Sequence, residues 1–356
     1  MEKIPKLIFL HNFRCAGNAL HMCLFENYGL GEHLIKVGGN PDVFCSYENL
    51  LKIVNDPKVR FIVGHNVFGL HNYIEENSRY FVNVREPIER LISGYTGWNN
   101  IRGQTLRQWL DESFELKNGM TKRFCGYGHE EGQCYDHVNN QPTTEFQILE
   151  NISFEKALAN LNQHCDAYFI DEYFQECIVL FEEKFQLPPL FTLTFNHYNQ
   201  SKRKLSPNVF SRKDLEYIIE NNQEDYKLYP HIKKHVETEI SNQPDSFFDK
   251  VRIRHLINSA LKLPVQQDAL GNKQILEALG QCEINLLNFG MVNELRELIK
   301  LIVNKAFLSS ELRAAVVNSV RNLLSKEIMD EFDYMLTVAP TKVPPIDTQL
   351  NRQPRF

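Results

Sequence analysis

The chain has 356 residues, 43% of them hydrophobic and 24% charged, with a net charge of −6 at pH 7. A chain of this length can bury a large core and suggests one large or two ordinary domains of globular composition. The acidic balance argues against a nucleic-acid partner, no apolar run approaches a membrane span, and the eight cysteines form no regular disulfide framework, which points to reduced thiols.

Met1-Glu2-Lys3-Ile4-Pro5 leads straight into an apolar run at residues 7–10, read as a buried strand. This start leaves no room for a leader or anchor, so a cytoplasmic protein is expected. A helix with Leu20, Cys23, Leu24 and Tyr28 on its apolar face follows, and Gly29, Gly31, Gly38 and Gly39 break up the next segment. Further buried strands are predicted over residues 59–63, 80–84 and 167–170, with a long polar loop over 126–144. A helix over 173–185 is expected to stop at Pro188-Pro189. Strands alternating with helices predict an α/β domain: a central parallel sheet wrapped by helices in three layers, with ligand chemistry at the carboxyl ends of the strands. Past Pro264, residues 272–289, 292–306 and 309–325 carry helical periodicity, with Ser309 or Ser310 as N-cap of the last. The expected organisation is an α/β domain over 1–255, a helical C-terminal region over 265–338 and a disordered tail over 339–356. The apolar helix faces must be buried against the first domain or against a second copy of the chain.

Two corners carry the chemistry. The first is Lys6-Leu7-Ile8-Phe9-Leu10-His11-Asn12-Phe13-Arg14-Cys15-Ala16-Gly17-Asn18-Ala19-Leu20, and the second is Tyr80-Phe81-Val82-Asn83-Val84-Arg85-Glu86-Pro87-Ile88-Glu89-Arg90-Leu91-Ile92-Ser93-Gly94-Tyr95. Each reads as a buried strand, a tight basic turn and a helix, the geometry in which helix N-terminal N–H groups hold an anion. Two such corners predict a ligand with two phosphates.

The first corner resembles the 5′-phosphosulfate loop, H-I-P-K-T-G-G-T-S-L, of the carbohydrate sulfotransferases, the heparan sulfate 2-O and 6-O enzymes among them. The second is similar to their 3′-phosphate element, R-D-P-x-x-R-x-x-S-x-Y, matching at Arg85, Pro87, Arg90, Ser93 and Tyr95, with Glu86 in place of Asp. Between them, Val63-Gly64-His65-Asn66-Val67-Phe68-Gly69-Leu70-His71 resembles the segment that supplies the family's base, and weaker echoes follow at residues 120–126 and 167–185. The resemblance covers roughly residues 5–240. It implies transfer of a sulfuryl group from 3′-phosphoadenosine 5′-phosphosulfate (PAPS) to a hydroxyl of a carbohydrate or glycan-bearing acceptor, with no metal.

On that reading the backbone of Cys15, Ala16, Gly17, Asn18, Ala19 and Leu20 cradles the 5′-phosphate, and Arg14 supplies the cation beside the bridging oxygen. Arg14 stands where the family carries lysine, and Asn18 and Ala19 replace hydroxyl residues, so at least one phosphate contact is altered. Arg85 and Ser93 take the 3′-phosphate, and Arg90 either joins them or pairs with Glu86 at i−4. His65 is the candidate general base, with His11 and His71 as rivals. Lys202 and Arg203, within a basic run at 201–204, either close over the nucleotide or form a solvated surface. Cys125, His129, Cys134 and His137 fit no common zinc spacing. A P-loop kinase lacks support, since there is no G-x-x-x-x-G-K-[ST] and no hydroxyl at Asn18-Ala19 for magnesium. A non-catalytic nucleotide-binding or scaffold member of the same fold is the other alternative.

Overall fold

A computed structural model describes residues 5–28, 34–36, 47–65, 67–112, 116–126, 134–136, 141–143, 152–190, 210–260, 292–303, 314, 316–318, 321 and 326–337. The chain divides into two compact units, Met1–Phe181 with His197–Gln243, and Glu182–Asn196 with Pro244–Phe356.

The first unit opens with β1 (Lys6–Leu10), α1 (Gly17–Tyr28), β2 (Leu34–Lys36), α2 (Tyr47–Val54), β3 (Phe61–Gly64) and β4 (Ser78–Val84). There follow α3 (Pro87–Arg102), α4 (Leu106–Glu112), α5 (Gly119–Phe124), the short strands β5 (Cys134–Asp136) and β6 (Gln141–Thr143), α6 (Phe154–His164) and β7 (Cys165–Ile170). Helix α7 (Phe174–Lys184) runs out of this unit, and α8 (Arg212–Glu220) and α9 (Gln223–Ser241) complete it.

Five strands form one sheet in the order β2-β3-β1-β4-β7, and every neighbouring pair is parallel. Leu10 lies level with Gly64 on one side and Val82 on the other, and Val84 with Ile170, so the carboxyl ends make a single edge. All five residues of β1 are buried, because a central parallel strand is covered on both faces and needs an unbroken apolar run. Lys6 is the exception in composition: its ammonium donates to the Val54 carbonyl at 2.7 Å and the Asp56 carbonyl at 2.8 Å, where a cation suits the carboxyl end of α2. After β3 the chain crosses β1 to build β4 on its far side. The reversal of strand order beside β1 is the place where open α/β sheets bind ligands.

Some sequence expectations need adjusting. The stretch 126–144, read as a loop, contains β5 and β6, an antiparallel pair joining Cys134 to Thr143. Helix α7 ends ahead of the prolines: Gln186 takes φ 49°, and the Leu187 N–H closes onto the Glu182 carbonyl at 2.9 Å. A left-handed residue with that 6→1 bond is a Schellman stop, so it is Gln186 that terminates the helix.

The second unit holds α10 (Asp245–Ala260), α11 (Val292–Val303) and α12 (Lys326–Thr337). Leu295, Leu298 and Ile299 are buried at i, i+3, i+4 spacing on α11, as an amphipathic helix requires. Helix α12 lies within the expected helical region 265–338, past the three periodic segments named in it, and residues 339–356 lie outside those described. Among the described residues no helix is long and apolar enough to cross a membrane.

Candidate functional site

The turn from β1 to α1 is unusual for its residue types. Arg14 and Ala16 take φ of 61° and 57°, a left-handed backbone that costs a non-glycine residue about 1–2 kcal/mol. The strain persists because Asn83, in the neighbouring β4, over-determines the turn. Its amide donates to the Cys15 carbonyl at 2.6 Å and the Asn12 carbonyl at 3.2 Å, while its oxygen accepts the Asn12 N–H at 2.7 Å. Asn12 returns a bond from its own amide to the Asn83 carbonyl at 2.8 Å. Gly17 follows because nothing larger fits. A methyl there would overlap the His11 ring and come within 2.7 Å of the Asn83 amide.

The Ala16 carbonyl is the first acceptor of α1, taking the N–H groups of Ala19 at 3.0 Å and Leu20 at 3.4 Å. The N–H groups of Ala16, Gly17 and Asn18 lie in the first turn, ahead of the helix's own hydrogen-bond ladder and at its positive end. Around them stand cations. The Arg14 guanidinium lies over the Phe13 ring at 5.0 Å, and its buried Nε meets no acceptor among the described residues. Burial holds its pKa below the ordinary arginine value. Cys15 is also buried, and desolvation pushes its thiol up to about 12 although Arg90, Arg85 and Arg123 all pull the other way. A thiol that weakly acidic is no nucleophile at neutral pH, so Cys15 offers only its backbone. Leu20 is likewise a core side chain, and Asn18 and Ala19 are partly exposed.

Arg85 directly follows β4, and Glu86 caps α3: its carboxylate accepts the Glu89 N–H at 2.7 Å, and Pro87 fills the first helical position. The buried Arg85 guanidinium meets two carboxylates, Glu89 at 2.9 Å and Asp171 at 3.3 Å. Ser93 lies half-buried further along α3. Arg90 neither joins Arg85 nor reaches back to Glu86. It is 1% exposed and donates to Asp225 at 3.2 Å and to the Leu116 carbonyl at 3.0 Å. Asp225 also accepts from the Thr121 N–H and hydroxyl, both at 2.8 Å, so this pair ties α3, α5 and α9 together. Tyr95, the last match to the motif, packs against Trp109 in a hydrophobic cluster.

His65 follows β3 directly. Its Nδ1 is 2.6 Å from the His11 carbonyl, and its ring stacks on the His11 ring at 4.4 Å. A carbonyl only accepts, so Nδ1 carries the hydrogen, and the neutral ring has its lone pair on Nε2, as a general base requires. His71 lies elsewhere. It bonds the Tyr80 hydroxyl at 3.0 Å and lies against the tilted ring of His164 at 4.0 Å, beside the residue that opens β7. Tyr80 sits roughly 13 Å back along β4 from Val84 at about 3.3 Å per residue, which separates His71 from the carboxyl edge. Burial, then His164, pushes the His71 pKa down to about 4.

Lys202, Arg203, His129 and His137 fall outside the described residues. Cys125 is buried against the Ser153 carbonyl, and among the described residues no group of three or more histidine, cysteine or acidic side chains is placed to hold a metal. The sequence reading missed Asn83, Glu89 and Asp171. Only Asn83 left a signal, as the one polar side chain inside the apolar run 80–84. No family model matches the chain, and no curated protein matches it either.

Proposed function

We propose that the protein transfers a sulfuryl group from PAPS to a hydroxyl of a carbohydrate acceptor, on a P-loop-like three-layer fold. One observation carries the reading. The strained turn after β1, His65 after β3 and Arg85 after β4 lie at the carboxyl ends of three adjacent parallel strands, although they are far apart in sequence. These are also the segments in which the sequence resembles the carbohydrate sulfotransferases.

The chemistry is an in-line displacement. The acceptor oxygen attacks sulfur, the bond from sulfur to the 5′-phosphate oxygen breaks, and the hydroxyl proton passes to Nε2 of His65. Negative charge grows on the departing phosphate oxygen, where the N–H groups at the start of α1 and the Arg14 guanidinium stabilise it. Arg85, with Ser93, takes the 3′-phosphate. Lys202 and Arg203 belong to the same proposal as cover for the nucleotide.

The departures of the first corner, Arg14 for lysine and Asn18 and Ala19 for hydroxyl residues, favour one second reading, a nucleotide-binding member that does not turn over. Calorimetry tests the assignment. Adenosine 3′,5′-bisphosphate should bind with Kd on the order of 1 μM, about −8 kcal/mol, and Arg85→Ala should abolish most of that affinity. Equal affinity for adenosine 5′-monophosphate would contradict it.

A further inference from the structure

Four rings stack in one column that ends at the carboxyl edge of the sheet. Phe81 lies against Phe9 at 4.9 Å and 6°, Phe9 against His11 at 5.3 Å and 10°, and His11 against His65 at 4.4 Å and 29°. Phe9 and His11 share a face because they are two residues apart in extended chain. Phe9 and Phe81 are fully buried, so the column stands on the rigid core.

Three contacts meet at His11. Its ring face covers the His65 imidazole, its carbonyl receives the His65 Nδ1–H at 2.6 Å, and its ring edge fills the space that a side chain at Gly17 would need. Gly17 is the first residue of α1, at the end of the anion loop. One residue thus touches both the loop and the candidate base.

We propose that His11 is the positioning residue that joins the anion loop to His65 and holds His65 in its Nδ1–H form, with Nε2 aimed at the acceptor. This rests on the reading of His65 as the base. The carbonyl bond selects the tautomer only while the ring keeps its orientation. The stacked His11 face is what stops rotation about the His65 side chain, and Phe9 and Gly17 stop His11 from moving in turn.

The test reads the tautomer directly. In the full-length protein with ¹⁵N-labelled histidine, His65 should show a protonated Nδ1 and an unprotonated Nε2. His11→Ala keeps the carbonyl but removes the ring face, and a substantial Nε2–H population should then appear. The kcat of sulfuryl transfer should fall by about 10²-fold, as for a misplaced catalytic group, and by more than nucleotide affinity does. Gly17→Ala displaces the His11 ring from the other side and should shift the His65 tautomer in the same direction. His11→Phe restores a stacked face and should restore the Nδ1–H form. An unchanged His65 tautomer in folded His11→Ala or Gly17→Ala would overturn the proposal, as would loss of the Nδ1–H form in His11→Phe. If His11→Ala does not fold, the other two variants decide. The tautomer is read without turnover, so a protein that shows these shifts but transfers no sulfate counts against the sulfotransferase assignment alone.

Discussion

Asn12 and Asn83, 71 residues apart, grip each other through reciprocal main-chain and side-chain hydrogen bonds of 2.7 Å, 2.8 Å and 3.2 Å. Both are buried. The pair fastens the turn after β1 to the carboxyl end of β4, and so sets the anion loop relative to Arg85. Asn83→Ala would leave the Asn12 N–H and two carbonyls without partners inside the protein. A buried unmatched polar group costs about 1–3 kcal/mol, so chemical denaturation should show a loss of about 3 kcal/mol.

The carboxylates on Arg85 set a second expectation. Glu89 and Asp171 stand where a phosphate would have to approach the guanidinium. Glu89→Gln should tighten binding of adenosine 3′,5′-bisphosphate by about 3–10-fold, equivalent to about 1 kcal/mol. Stability should move by less than about 0.5 kcal/mol, since Glu89 is exposed and such pairs contribute little. Weaker binding in Glu89→Gln would mean that the carboxylate orients Arg85 for its ligand.

Arg90 and Asp225 behave differently, because both are buried. Removing one partner of such a pair strands the other charge and costs about 3–5 kcal/mol. Asp225→Ala should therefore destabilise strongly in urea denaturation, by at least about 3 kcal/mol. The double variant Arg90→Leu, Asp225→Leu should cost less than the sum of the single changes.

His71 gives the protein a pH dependence. It titrates at its ordinary 6.5 when unfolded and near 4 when folded, because burial and then His164 oppose its charge. Protons then bind the unfolded chain preferentially. Stability is full above about pH 6.5 and falls as the pH drops toward about 4. His164, lowered by burial and by Arg79, adds in the same direction. His71→Gln should flatten the acid limb of a plot of stability against pH between those limits.

Much of the site was legible because its signals are local. The apolar runs at 7–10 and 80–84 mark central parallel strands, and Arg85-Glu86-Pro87 marks a strand end followed by a helix start. What escaped was set by distant parts of the chain. Arg90 finds Asp225 135 residues away, and no spacing rule around α3 could have named it. Asp171 reaches Arg85 because β7 pairs beside β4, a register that only the assembled sheet fixes. His71 stood near His65 in sequence, yet the connection from β3 to β4 carries it back toward the amino ends of the strands. The stop of α7 at Gln186 was hidden because the left-handed residue is neither glycine nor asparagine.

The central claim is that His65 takes the acceptor proton while other groups hold the donor. The most direct measurement is transfer of labelled sulfate from PAPS to a panel of polysaccharides, by the wild-type chain and by His65→Ala, with nucleotide affinity measured on both. The expected result is transfer by the wild type and a loss of about 10²–10⁴-fold in His65→Ala, with affinity for adenosine 3′,5′-bisphosphate nearly unchanged. Normal transfer by His65→Ala, or nucleotide binding by the wild type with no transfer to any acceptor, would contradict it.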